Sequence, residues 1–365
     1  MRNVNTYAFI LAGGSGERFW PLSRTSTPKH LLRIFDDRTL LEHTVERLEG
    51  TVPVENIYVL TNVAQATACR AVLPMLPPQN IVAEPAKRDT APACTLATAI
   101  AAARDPEAVC ILLPADAMIH NHETFRKQLA AMATAATMHD AIVTFAIPPK
   151  YAATGYGYLH LGEEIAETST MESSAPCIHA RQYPLVRVEK FVEKPDERTA
   201  EQYLASNTYG WNAGIFAWRA SWFRQELDRL QPELAAFVAR FPQQNAEAYI
   251  EQHFPTLPKI SVDYAVMEHT REVLAIRAAF DWDDVGSWLA LPAHLGHDDD
   301  GNCIRGEAVV CDSRNNIVFS TKRLIALCGV HNLVVIETDD TILVCHRDAA
   351  QNIKALQPHL PENLR

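Results

Sequence analysis

Residues 7–18 read YAFILAGGSGER, an apolar run followed by three glycines and then by Glu17 and Arg18. Its apolar start is long enough for one buried strand, and the glycines that follow end that strand. Glycines let a backbone turn sharply and approach a ligand closely, because no Cβ atom stands in the way. The amide groups of such a turn can point at phosphate oxygens. We therefore expect a strand that runs into an anion-binding loop.

The loop region that begins with these glycines contains three cations: Arg18, Arg24 and Lys29. Glycines and fixed positive charge after a strand predict a site for a polyphosphate. Two common phosphate motifs are excluded. The residues after Gly16 are not the Lys-Ser/Thr pair of a Walker loop, and Phe19 stands where the dinucleotide fingerprint needs its third glycine. The alternative is a glycine-rich turn that only joins a strand to a helix.

The length, charge and composition of the chain limit the classes of protein to which it can belong. At 365 residues the chain exceeds the usual single domain, so we expect one large domain and a smaller one. The net charge of −11 argues against general nucleic-acid binding. No apolar run approaches the ~20 residues of a membrane helix, and the N-terminus lacks the apolar core of a signal peptide. The eight cysteines show no Cys-x-x-Cys spacing, so we expect a cytoplasmic protein with reduced thiols, no zinc site and no nucleic-acid or membrane partner.

Apolar strand-like runs alternate with helix-like runs over the first half of the chain. This alternation predicts an α/β fold, with a mostly parallel sheet and helices on both of its faces. Ligands of such sheets bind beyond the carboxyl ends of the strands. We expect strands at 9–11, 57–60, 81–82, 109–113 and 141–145, and helices at 40–48, 64–73, 91–103 and 125–138.

The character of the sequence changes after Trp288. A turn-rich acidic segment at 298–302 precedes short β-rich runs at near-regular spacing, which predict a small β module or β-solenoid. We therefore expect a large α/β domain over residues 1–292 and a β-rich, β-helix-like domain over residues 293–365. The β-rich runs lie at 308–310, 317–319, 324–327, 333–336 and 342–344.

Two acidic segments are candidates for binding a metal ion. Asp116 follows a strongly apolar strand, and residues 281–288, DWDDVGSW, concentrate three carboxylates beside a glycine. Mg²⁺ is usually held by one or two carboxylates together with phosphate oxygens and water. Asp116 and Asp284 meet that need if the fold brings them together. The alternatives are an aspartate that caps a strand or helix, and an acidic turn between two tryptophans.

Two further motifs carry groups suited to a sugar phosphate. Glu193 and Lys194 end a β-run before a proline; such a pair can accept from hydroxyls and neutralise a phosphate. Asn212 offers an amide that both donates to and accepts from hydroxyls. A solvated ion pair is the alternative for the Glu-Lys motif. Asp263 opens a later helix and is predicted to be structural rather than catalytic.

The order of these motifs resembles that of the mannose-1-phosphate guanylyltransferases, a family of sugar-nucleotide pyrophosphorylases. The similarity spans residues 7–288 and includes FWPLSR at 19–24 and WNAGIF at 211–216. It implies a Rossmann-like nucleotidyltransferase fold, GTP and mannose 1-phosphate as substrates, and Mg²⁺ as cofactor; a homodimer stays open. The β-rich end is similar to the β-helix-like module of the shorter bacterial members. The resemblance therefore implies a monofunctional transferase.

The resemblance also implies roles for individual residues. Arg18 and Lys29 would be catalytic, and Asp116 and Asp284 would hold Mg²⁺. The residues expected to bind the nucleotide are Leu11, Ala12, Gly13, Gly14, Ser15, Gly16, Glu84, Arg88, Thr90 and Ala91. Those expected to bind the sugar phosphate are Gly157, Glu193, Lys194 and Asn212.

The chain departs from the family pattern at three positions. The family more often has Gly and Asn at the positions of Lys87 and Asp89, and Gln at that of His30. These departures concern recognition of the base more than phosphate chemistry. One alternative function is that of another sugar-1-phosphate nucleotidyltransferase, with a different base or hexose. A non-catalytic regulatory homologue is the other.

Overall fold

The computed structural model of the protein describes residues 5–14, 16–165, 182–270 and 272–365. Its strands are Thr6–Ala12 (β1), Ile57–Asn62 (β2), Ile81–Glu84 (β3), Val109–Pro114 (β4), Ile142–Ile147 (β5), Gly157–Glu164 (β6), Leu185–Glu193 (β7), Tyr209–Arg219 (β8), Val273–Arg277 (β9), Cys303–Arg305 (β10), Ala308–Cys311 (β11), Ile317–Ser320 (β12), Ile325–Cys328 (β13), Leu333–Glu337 (β14) and Ile342–His346 (β15). Its α-helices are Leu40–Glu46 (α1), Val63–Val72 (α2), Thr90–Ala102 (α3), His122–Met138 (α4), Glu197–Ser206 (α5), Ala220–Leu230 (α6), Pro232–Ala239 (α7), Ala246–His253 (α8) and Leu291–Leu295 (α9).

The central sheet of the described residues has nine strands in the order β3-β2-β1-β4-β8-β5-β9-β7-β6. Strands β1 to β4 pair in parallel, as do β5 and β9, which agrees with the parallel sheet predicted from the first half of the chain. Strand β8 is antiparallel to both β4 and β5, so the complete sheet is mixed. The alternation in the first half could not show this, because β8 enters the sheet only from residue 209 onward.

Apolar side chains cover both faces of the sheet. Successive residues of a strand point to opposite faces, so Ile10 of β1 packs in one cluster and Phe9 in the other. Helix α3 lies in the second cluster, and its residues 91–101 are all buried. This segment consists mainly of Ala and Thr, whose small side chains let α6 and α7 approach closely.

Beyond α9 the chain forms a β-helix-like module. Strands β10, β12 and β14 stack in parallel on one face, and β11 pairs in parallel with β13 on another. Strand β15 returns antiparallel to β14. The five β-rich runs predicted here are all strands. Strand β10 was not predicted, because its three residues give little sequence pattern.

The module and the large sheet share one hydrophobic cluster. The ring of Trp288 lies 5.2 Å from that of Phe19 and 5.4 Å from that of Phe319 in β12, measured between centroids. A 3-10 helix, Arg347–His359, buries Ala350 and Ile353 in the same cluster. The module therefore packs against the loop that follows β1. A domain boundary after residue 292 stays a prediction.

The cysteines and helices of the described residues bear on two expectations from the composition, reduced thiols and no membrane helix. Seven of the cysteines lie there, and each is a free thiol. Cys177 lies outside them. Within this part of the chain, no helix combines the length and the apolar character needed to cross a membrane.

Candidate active site

A cavity of about 820 Å³ opens at the carboxyl ends of β1, β3 and β4. Its volume is typical of ligand-binding sites. It is lined by fifteen of the predicted site residues: Leu11, Ala12, Gly13, Gly14, Gly16, Arg18, Lys29, Glu84, Arg88, Thr90, Asp116, Gly157, Glu193, Asn212 and Asp284. Of the other three, two do not appear in its wall and one lies outside the described residues. Ala91 is buried and donates its N–H to the Ile260 carbonyl, the Lys194 side chain is largely exposed, and Ser15 lies outside the described residues.

Gly16 brings the loop after β1 into contact with Lys29. It has a φ of 68°, and a Cβ atom at this position would lie only 2.8 Å from the Lys29 backbone nitrogen. A larger residue would be strained and would displace Lys29. Gly13 and Gly14 face open space, with no atom within 4 Å of the place where a Cβ would stand. Gly13 and Gly14 thus present bare backbone to the cavity, and Lys29 is fixed beside Gly16.

Lys29 joins the two predicted metal ligands. Its Nζ atom lies 3.0 Å from Oδ2 of Asp116 and donates to the main-chain carbonyl of Asp284. The segments that carry these aspartates are held together by two backbone hydrogen bonds between Met118 and Asp283, of 2.8 and 3.0 Å. Asp116, two residues beyond β4, therefore meets the DWDDVGSW segment, as the sequence analysis required.

The Asp284 carboxyl is held by a residue that the sequence analysis did not select. The hydroxyl of Tyr156 donates to Oδ1 of Asp284, and the Tyr156 ring packs against Trp211 and Trp282. Burial raises the pKa of Asp284 above its ordinary value. Tyr156 lies in the TGYGY sequence at 154–158, where its spacing gave no sign that it would reach an aspartate far along the chain.

The chemistry of this corner fits a divalent ion that shares its ligands with a substrate. Asp116 and Asp284 both border the open cavity. Among the described residues, no group of three or more His, Cys, Asp or Glu side chains is arranged to hold a metal ion. Two carboxylates suffice for Mg²⁺ when phosphate oxygens and water complete its shell. A metal here would depend on a bound phosphate.

Gly157, Glu193 and Asn212 meet on one side of the cavity. A Cβ atom on Gly157 would lie 2.7 Å from Oε2 of Glu193 and 3.5 Å from Cβ of Asn212, so a larger residue here would push the Glu193 carboxylate aside. The Asn212 side-chain oxygen accepts a 3.0 Å hydrogen bond from the Gly214 N–H, which orients its amide. These three residues offer a carboxylate and an amide to sugar hydroxyls.

The same side of the cavity contains Asp263, which we predicted to be structural. Its carboxyl is largely buried, and burial together with the charge of Glu193 raises its pKa to about 6. Lys194 forms a 2.7 Å ion pair with Glu193, which raises the Lys194 pKa. Only the fold could show that Asp263 borders the cavity, because it lies 70 positions from the Glu-Lys motif.

A third part of the wall runs from Glu84 to Thr90. Burial raises the pKa of Glu84 to about 8, so this carboxyl holds a proton at neutral pH. Arg88 donates to the carbonyl of Pro255, and the Thr90 hydroxyl accepts a 2.8 Å hydrogen bond from the Val262 N–H. These contacts fix the segment against residues 255–262.

Two of the three departures from the family pattern lie at the cavity. Lys87 and Asp89 line it, next to Arg88 and Thr90. His30 does not; it is buried beside Cys69, and burial lowers its pKa to about 4, so the ring is neutral at neutral pH. The departure at His30 therefore belongs to the packing behind Lys29.

Comparison with known proteins shows which family the chain resembles. The nucleotidyl transferase family model matches residues 7–297, and a second family model, the MannoseP isomerase/GMP-like beta-helix domain, matches residues 306–360. A relative from Escherichia coli (strain K12), named mannose-1-phosphate guanylyltransferase, is 36% identical over 97% of this chain and 73% of the relative. A relative of the same name from Klebsiella pneumoniae is 35% identical over 98% of this chain and 74% of the relative.

A solved structure is similar over nearly the whole chain. It comes from Thermus thermophilus and is described as a mannose-1-phosphate geranyltransferase. Its TM-score is 0.84 at 33% sequence identity, with 98% of this chain and 99% of that chain covered. The predicted α/β nucleotidyltransferase fold with a C-terminal β-helix-like module is confirmed.

Proposed function

This chain belongs to the nucleotidyl transferase family, and we propose that it is a mannose-1-phosphate guanylyltransferase. The reaction converts GTP and mannose 1-phosphate into GDP-mannose and pyrophosphate. The observation that carries the proposal is the meeting of Lys29, Asp116 and Asp284 beside a bare glycine loop. The two relatives bearing that name, at 35% and 36% identity over almost the whole chain, support the choice of substrates.

The mechanism follows from the chemistry of the substrates. A phosphate oxygen of mannose 1-phosphate attacks the α-phosphorus of GTP in line. A new oxygen–phosphorus bond forms while the bond from the α-phosphorus to the bridging oxygen breaks, and pyrophosphate leaves with that electron pair. A phosphate monoester is already a competent nucleophile, so no activating base is needed. The protein must hold two mutually repelling anions in line and neutralise charge as it develops.

Arg18 and Lys29 would supply that neutralisation. Both line the cavity beside the glycine loop, and the nearly buried position of Lys29 strengthens its field. Members of this family usually use a divalent metal ion. We propose Mg²⁺, held by Asp116 and Asp284, whose charge would be shared with the phosphate oxygens.

The remaining predicted residues would bind either the sugar phosphate or the nucleotide. Gly157, Glu193 and Asn212 would bind mannose 1-phosphate, with Lys194 acting through its ion pair with Glu193. The loop residues 11–16 would bind the nucleotide phosphates. The segment from Glu84 to Ala91 would border guanine, with Ala91 behind the wall. A homodimer, a cytoplasmic location and the absence of nucleic-acid partners stay predictions from the sequence.

The test is pyrophosphate release by the purified protein with mannose 1-phosphate, Mg²⁺ and one nucleotide at a time: GTP, ATP, UTP or dTTP. We expect release with GTP to exceed that with the others and to stop when the metal is chelated. Glucose 1-phosphate with each nucleotide controls for the sugar. Asp116→Asn controls for the metal, because it keeps the size of the side chain and removes its charge.

The possible outcomes of this assay lead to different conclusions. Release confined largely to GTP supports the guanylyltransferase. Release with another nucleotide, or with glucose 1-phosphate in place of mannose 1-phosphate, keeps the mechanism and moves the protein to another branch of the nucleotidyltransferases. Folded protein that is inactive with every pair would contradict the proposal and favour a regulatory homologue.

A further inference from the structure

One residue of the β-helix-like module lines the active-site cavity. Among the described residues that form its wall, Lys354 is the only one beyond residue 293. It lies on the 3-10 helix Arg347–His359 and borders the same cavity as Gly13, Arg18 and Asp284. Nothing in the sequence motifs pointed to it, because it lies in the tail after the last predicted strand.

The helix that carries Lys354 is fixed against the walls of the site. Ile353, the neighbouring residue, is 3% exposed and packs in the cluster that contains Phe19 and Trp288. The side-chain amide of Gln351 donates to the hydroxyl of Ser287 at 3.3 Å. The base of the Lys354 side chain is therefore held between the loop after β1 and the segment after Asp284.

The end of the chain strengthens this attachment. The indole N–H of Trp20 donates to the Leu364 carbonyl at 2.9 Å, and Arg24 pairs with Asp340 at 2.9 Å. Both Trp20 and Arg24 belong to the loop region that follows β1. The module thus contacts this loop region through residues that precede and residues that follow the helix that carries Lys354.

The cations that line the cavity differ in whether they already have partners. Of the cations in its wall, Lys29 is already paired with Asp116 and Arg88 donates to a main-chain carbonyl, which leaves Arg18, Lys87 and Lys354. Lys354 forms no ion pair or hydrogen bond with any residue that the structure describes, so its ammonium group is free to meet a ligand. The leaving pyrophosphate carries several negative charges that must be neutralised as it departs.

We propose that Lys354 binds the β- and γ-phosphates of GTP and the pyrophosphate formed from them. The inference rests on the proposed function for the identity of the ligand. The ammonium group would donate to phosphate oxygens, a charge-assisted contact that is stronger than a neutral hydrogen bond. The β-helix-like module would then supply a residue of the active site as well as packing.

The test compares ligands with and without the outer phosphates. Binding of GTP and of GMP is measured by calorimetry for the wild type, Lys354→Ala and Lys354→Arg. We expect Lys354→Ala to weaken GTP by about 10- to 100-fold and to change GMP by less than about twofold. Lys354→Arg should retain most of the affinity for GTP. In the reverse reaction, the KM for pyrophosphate should rise in Lys354→Ala while that for GDP-mannose stays unchanged.

The matched control is Lys322→Ala, which removes a lysine of the same module whose exposed side chain pairs with Asp339. If Lys354→Ala binds GTP as this control does, or loses GTP and GMP equally, Lys354 does not bind the outer phosphates. The proposed function fails in a different way. A wild type that prefers GTP to GMP through Lys354, but forms no pyrophosphate with mannose 1-phosphate, would keep the Lys354 contact and overturn the reaction.

Discussion

At the scale of single residues, the site depends on a lysine placed between acids. Lys29→Ala removes a cation whose Nζ lies 3.0 Å from Asp116 and contacts the Asp284 carbonyl. We expect kcat to fall by at least about 10²–10³-fold, since preorganised electrostatic contacts in active sites have effects of that size. Pyrophosphate release measures it. Lys127→Ala, which removes an exposed lysine paired with Glu123, is the control. Near-normal turnover of Lys29→Ala would remove Lys29 from the mechanism.

Glu84 makes stability depend on pH. Burial raises its pKa from 4.5 to about 8 in the folded protein, so between these values the folded state holds a proton that the unfolded state has lost. The contribution of Glu84 to the free energy of unfolding must therefore fall as pH rises from about 5 to 8, by at most about 1.4 kcal/mol per pH unit.

Glu84→Gln tests this dependence, because Gln resembles the protonated acid and does not titrate. We expect the variant to gain stability relative to the wild type as pH rises through that range, measured by urea unfolding at several pH values. Glu251→Gln, at an exposed position of α8, is the control. A difference between Glu84→Gln and wild type that stays constant with pH would show that Glu84 ionises normally.

At the scale of elements, buried asparagines tie the coils of the β-helix-like module together. The side chain of Asn316 is fully buried; it donates to Oδ1 of Asn302 at 2.9 Å and to the Val330 carbonyl at 3.1 Å, and accepts from the Leu333 N–H at 2.9 Å. Each contact joins one coil to the next. These hydrogen bonds satisfy backbone groups at the turns, where strand pairing ends.

Asn316→Ala should lower the free energy of unfolding by about 3 kcal/mol, because it leaves buried donors and acceptors without partners. Chemical denaturation measures the change. Asn352→Ala, at an exposed position on the 3-10 helix, should change stability by less than about 0.5 kcal/mol. Equal effects of the two substitutions would show that the asparagine contacts do not hold the coils.

Most elements could be predicted from the sequence, because their patterns are local. The runs that became β1, β4 and the buried helix α3 are apolar enough to be recognised without their neighbours. The antiparallel direction of β8 could not be predicted in this way. It depends on which strands β8 pairs with, and those partners lie about 70 to 110 positions earlier in the chain.

At the scale of the whole molecule, the shared cluster should make the β-helix-like module and the large sheet unfold together. Phe319→Ala removes a nearly buried ring of the module that contacts Trp288. We expect a loss of about 3–4 kcal/mol and a single calorimetric transition for both the variant and the wild type. Leu324→Ala, at a side chain that is 57% exposed, is the control. Two separate transitions in the wild type would contradict a common core.

The chemical groups of the site can be recognised in the sequence: a strand ending in glycines, cations after it, and aspartates after later apolar runs. These features are local, so residue order alone specifies them. Their arrangement comes from tertiary packing: Lys29 lies between Asp116 and Asp284, Tyr156 donates to Asp284, and Asp263 and Lys354 border the cavity. Those juxtapositions depend on the order of strands in the sheet and on the docking of the module, which long-range packing sets.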